Sequence, residues 1–142
     1  MKINYHDILN KNMINVFKDI IKKIEENGLS AEQHLYITFI TKHPEVSLPK
    51  WLKDKYPKEI TIVIQYEYYD LVVKEKYFNI GLSFNNIKTK LKISFNSIIS
   101  FADPSANFGF KLKNQDIKIN KNKKNKIKNI DNVINLEEYK KN

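Results

Sequence analysis

The chain of 142 residues contains no cysteine, no arginine, three glycines, four prolines and one tryptophan. Without cysteine there is no disulfide framework, no thiolate nucleophile and no Cys-type zinc site. With Gly28, Gly81 and Gly109 each isolated, no glycine-rich phosphate loop and no G-x-S-x-G nucleophile elbow can be drawn. Long apolar runs are also missing. No window approaches 18 consecutive apolar residues, and MKINYHDILNKN lacks the apolar stretch of a signal peptide, so neither a membrane span nor a leader is expected and the cytoplasm is the default compartment. His6, His34 and His43 are too scattered for metal-ligand spacing, and pairs such as Glu25-Glu26 and Glu137-Glu138 are adjacent and solvated rather than opposed. These absences argue against an enzyme and against a metal or other cofactor.

What is present is a globular composition, 42% hydrophobic and 29% charged, in a length that fits one domain. The formal net charge is +9, and all 25 bases are lysine. An Asn/Ile/Lys-rich chain without arginine reads as AT-rich codon drift, so where the lysines fall says more than how many there are. Residues 1–110 hold 15 lysines against 12 acids, whereas 111–142 hold 10 against 4. The basicity therefore belongs mostly to a tail.

From Tyr5 to Asn27 the residues Ile8, Leu9, Met13, Val16, Phe17, Ile20, Ile21 and Ile24 recur at helical steps, and Gly28 supplies the stop. The stripe is wide. Either one edge, with Met13, Val16, Phe17, Ile20 and Ile24, serves a partner, or the helix is sunk in its own core. After Gly28 the period becomes two. Strands are expected at His34–Thr41, along the β-branched and aromatic run Ile60–Val73, and at Phe78–Phe84, Leu91–Phe95, Ile98–Phe101 and Phe108–Leu112. Turns fall at Lys74–Lys76, at Asn85-Asn86, where asparagine tolerates positive φ, and at Ala102–Ser105. The stretch from His43 to Pro57 reads as an ordered loop anchored by Val46, Leu48, Trp51, Leu52 and Tyr56. The expected fold is mainly β with one N-terminal helix, a small β-sandwich or partly open barrel over residues 1–112.

Beyond Leu112 the pattern gives way to KNQDIKINKNKKNKIKNID, too poor in apolar surface to offset its ordering entropy, so a disordered basic linker is expected over 113–131. Apolar residues return in 132–142 at Val133, Ile134, Leu136 and Tyr139, which suggests a docking peptide on a tether.

Two binding classes fit this layout. A basic tail beside an aromatic sheet, with Tyr66, Tyr68, Tyr69 and Phe84 available for stacking, suits an Sm-like RNA-binding protein, although a nearly neutral folded part without arginine restricts it to weak, nonspecific contact. A short sheet with exposed edges also suits a peptide-binding module, in which an extended ligand adds as a strand.

Particular segments favour the second. EITIVIQYEYYDLVV (59–73), SFNNI (83–87), FADPSANFGFKL (101–112) and NVINLEEYKK (132–141), with HLYITFIT and HPEVSLPKWLKDKYP before them, resemble the stringent starvation protein B (SspB) family in its α-proteobacterial form. The resemblance implies a homodimeric adaptor with an N-terminal helix and an Sm-related β-sandwich. Such an adaptor binds ssrA-tagged proteins and delivers them to the ClpX unfoldase of the ClpXP protease, with no cofactor or membrane of its own. It further implies that Gln65 lines the tag groove with Tyr66 and Tyr68 as neighbours, and that Asn85-Asn86 stands where the family has Gly-Gly. Phe108 and Phe110 belong to the final strand beside that groove. Val133, Ile134, Leu136 and Tyr139 match the ClpX-docking peptide.

Overall fold

A computed structural model describes residues 1–112. It opens with helix α1, Tyr5–Asn27, followed by strand β1, Leu35–Ile40, and a short helix α2, Lys50–Lys55. Strands β2 (Glu59–Ile64), β3 (Tyr69–Val73), β4 (Tyr77–Phe84), β5 (Ile87–Ser94), β6 (Ile98–Asp103) and β7 (Phe108–Lys111) complete the domain. They form two antiparallel sheets, one ordered β2-β1-β6-β7 and the other β3-β4-β5. No strand of one sheet pairs with a strand of the other, so the arrangement is a sandwich and not a closed barrel. One helix leading a mainly β domain is the expected fold class. The expected linker and docking peptide, 113–131 and 132–142, lie outside the described residues.

The helix begins where its side chains can cap it. The Asn4 side chain accepts the Asp7 amide N–H at 3.0 Å, and Asp7 places a carboxylate in the first turn, where the helix dipole favours it. At the other end Gly28, at φ 79°, donates its N–H to the Ile24 carbonyl at 2.8 Å. Of the wide stripe, Phe17, Ile21 and Ile24 are buried. The Phe17 ring lies 6.0 Å from Phe78 in β4, 5.8 Å from Phe101 in β6 and 6.0 Å from Phe95, so one side chain joins the helix to both sheets. Around it gather Ile37, Phe39, Ile62, Ile64, Ile80, Leu91 and Ile93, the inward residues of strands that alternate with period two.

Several elements differ from the sequence expectation. The run Ile60–Val73 is two strands in different sheets, broken at a turn in which the Tyr68 N–H donates to the Gln65 carbonyl at 3.0 Å. Inside the expected loop, Pro49 starts helix α2, whose first amides, Leu52 and Lys53, donate to the Pro49 carbonyl at 3.0 and 3.1 Å. Leu52 and Val46 anchor this loop, but Trp51 and Tyr56, also expected as anchors, are each 40% exposed. Strand β5 starts four residues earlier than expected, at Ile87, and Phe95 belongs to a 3₁₀ turn after it. Strand β6 runs on through Asp103, moving the next turn to Pro104–Ala106. The same loop protects an edge: Ser47 and Lys92 exchange backbone hydrogen bonds of 2.9 and 3.0 Å along the outer side of β5.

Candidate functional site

The corner Gln65–Tyr68 carries the chain from β2, an edge strand of the four-stranded sheet, to β3, an edge strand of the other. Among the described residues each of these strands is paired on one side only, so two strand edges meet at this corner. Helix α1 closes part of the second edge, because the Glu25 carboxylate accepts the Val73 N–H at 3.0 Å. The β2 edge and the first residues of β3 carry no such cover among the described residues.

Gln65 is half-buried, and its side-chain amide makes no hydrogen bond among the described residues. It thus offers one acceptor and two donors beside a free backbone edge, the chemistry an extended peptide needs. Tyr66 presents its ring to solvent at 59% exposure. Tyr68 turns the other way: half-buried, it donates its hydroxyl to the Ile24 carbonyl at 3.4 Å and fastens the corner to the helix.

Strand register brings the other expected groove residues toward the same end of the sandwich. Tyr69 pairs with Gly81, so the start of β3 lies near the β4–β5 turn. In that turn Asn85 and Asn86 have φ 54° and 68°, the left-handed pair that a two-residue hairpin requires and that asparagine tolerates. Across the larger sheet, Ile64 lies opposite Leu35, Tyr36 opposite Ala102, and Asp103 opposite Phe108. Phe108 is therefore at the Gln65 end of this sheet but three strand spacings away, about 14 Å.

Two aromatic positions have different fates. Phe108 is 46% exposed and rests on Phe101 and Phe110, with centroids 6.2 and 5.9 Å apart. Phe110, by contrast, is a core residue. It faces inward in β7, stacks on Phe101 at 5.6 Å and is 3% exposed, so it supports the strand and cannot itself meet a peptide. A like correction applies to the helix: Phe17 and Ile24 lie in the protein's own core, so neither is available to a partner. Met13 and Ile20 are partly buried against that core, and Val16 remains exposed.

What the sequence reading did not single out is Asp70, held at φ 51° in a bulge of β3; Tyr69, named there only for stacking, lays its ring over Gly81. Among the described residues no cluster of three or more histidines and carboxylates gathers for a metal ion, and no helix is long and apolar enough to cross a membrane.

A helix-led pair of small antiparallel sheets thus leaves a polar corner beside strand edges that an extended segment could join. The family model described as stringent starvation protein B, SspB, matches residues 8–141, and the chain belongs to that family. A comparison with curated proteins gave no match. Membership is consistent with the role of a proteolytic adaptor and points to protein partners.

Proposed function

We propose that this protein is a ClpXP adaptor that binds ssrA-type degradation tags and tethers the tagged proteins to the ClpX unfoldase. The observation that carries the reading is the unpartnered amide of Gln65 between two open strand edges, in a chain whose residues 8–141 match the SspB family. An extended tag adds along the β2 edge, exchanging backbone hydrogen bonds, while Gln65 fixes its register and Tyr66 covers an apolar tag side chain. Asn85, Asn86 and Phe108 border the site, and Tyr68 holds its corner in place. The adaptor works in the cytoplasm as a dimer, and Val133, Ile134, Leu136 and Tyr139 dock on the unfoldase. No catalytic step belongs to the adaptor itself.

The direct test is fluorescence anisotropy of a labelled ssrA-tag peptide, with RNA as competitor and at low and physiological salt. Saturable binding that survives both is expected. Gln65→Ala should weaken it about fivefold, the worth of one neutral hydrogen bond, with an unchanged melting temperature. Unaltered affinity in the folded variant removes Gln65 from the site, and absence of any peptide binding overturns the function.

A further inference from the structure

The outward face of the three-stranded sheet carries chemistry that tag binding does not use. Lys88, Lys90 and Lys92 alternate along β5 and are the register partners of Ser83, Gly81 and Asn79 in β4. Their side chains all leave the same face, at intervals of about 7 Å. Two of them lie over tyrosines of the same sheet: Lys92 Nζ is 4.6 Å from the ring centre of Tyr77 in β4 and Lys88 Nζ 5.2 Å from that of Tyr69 in β3. The middle one, Lys90, pairs with Asp70 at 3.0 Å. Three lysines thus follow one line along β5, and the contact of Lys90 with Asp70 is the one ion pair that this row makes among the described residues.

We infer that this face is a second binding surface, for single-stranded RNA, distinct from the corner at Gln65. Evenly spaced ammonium groups match a polymer that carries one charge in every repeat unit, and binding releases the polymer's counterions. The interleaved Tyr69 and Tyr77 decide between polyanions: a base that displaces a lysine from its ring stacks there while the lysine takes a phosphate, whereas an acidic peptide has no use for the rings. Asn79, half-buried between them, adds an amide at the level of the bases. With no arginine on the track, binding tolerates any sequence.

The test uses the full chain and a fluorescein-labelled oligouridylate, titrated at several salt concentrations. In Lys88→Gln/Lys90→Gln/Lys92→Gln, the slope of log affinity against log salt should fall by about 2, and affinity at low salt by about tenfold or more. Asp70→Asn, which asparagine's tolerance of positive φ permits, should do the reverse, tightening binding and steepening the slope by about 0.7. A gain of this kind cannot come from misfolding. Both variants should bind the ssrA-tag peptide as the parent does, so failure here and failure of the adaptor reading are separate results. Identical RNA affinity and slope in the parent and both variants overturn the proposal and leave RNA binding to the lysines of 113–142. Equal competition by poly-glutamate overturns it in favour of an acidic protein partner.

Discussion

At Gly81 the absence of a side chain is filled by another residue. A Cβ built there would overlap the ring of Tyr69, its cross-strand partner, and that ring is in turn covered by Lys88. Gly81→Ala therefore pushes the Tyr69 ring off its seat and should cost about 1–3 kcal/mol, in the range of other overpacked sites. Thermal unfolding should register it as a fall of several degrees; an unchanged midpoint would mean that the ring moves aside freely. Asp103 poses the complementary case of a nearly buried carboxylate. It accepts from the Ser105 N–H at 3.1 Å, the Ser105 hydroxyl at 2.7 Å and the Gln33 amide at 3.3 Å, joining the turn after β6 to the loop after α1. Asp103→Ala removes three hydrogen bonds and is expected to destabilise by about 1–3 kcal/mol in a denaturant titration. The two positions differ in how far the sequence announces them. Asp103-Pro104-Ser105 is visible as turn chemistry, whereas Gly81 looks like an ordinary strand glycine until register sets Tyr69 opposite it.

Among the elements, α1 is the most legible, because cap, stripe and stop agree from Asn4 through Gly28. The break at Gln65–Tyr68 is harder to read, since no glycine or proline marks it. Its trace is a slip of phase: inward positions are even-numbered through Ile60, Ile62 and Ile64, then become Leu71 and Val73. Helix α2, at six residues, is too short for a periodic signal, and lysines at alternate positions of β5 conceal a strand whose other face is core. The candidate site suffers from the same breaks, because its residues come from a corner, a hairpin turn and a distant edge that only register brings to one end. On α1 the width of the stripe now has two separable explanations. Phe17 and Ile24 belong to the core, while Leu9, Met13, Val16 and Ile20 form an outer ridge at steps of four, three and four that suits a second copy of the chain. Phe17→Ala should cost about 3–5 kcal/mol of stability by opening a cavity among three other phenylalanines. Val16→Glu should leave the fold intact and halve the mass seen by light scattering. A parent protein of monomer mass at micromolar concentration would reject the dimer.

For the whole molecule, the adaptor reading assigns cargo and unfoldase to separate parts of the sequence, with Gln65 in the domain and Val133, Ile134, Leu136 and Tyr139 beyond residue 131. Nineteen residues, 113–131, separate the domain from that terminal peptide. The adaptor reading takes this stretch as a flexible tether, and any flexible chain of nineteen residues has a root-mean-square span of about 25 Å. Such a span places bound cargo near the unfoldase at an effective concentration of about a millimolar, so two weak contacts hold as one firm one without any new contact surface. A dimer doubles the number of peptides offered. The arithmetic makes the two functions separable: a chain ending at residue 131 should bind the tag peptide with unchanged affinity and should fail to accelerate ClpXP degradation of a tagged protein at sub-saturating cargo. At saturating cargo the parent's advantage should fade as well, because tethering raises local concentration and does not alter the protease's chemistry. Acceleration by the truncated chain equal to that of the parent would remove the docking role from residues 132–142 and place any contact with the unfoldase on the folded domain.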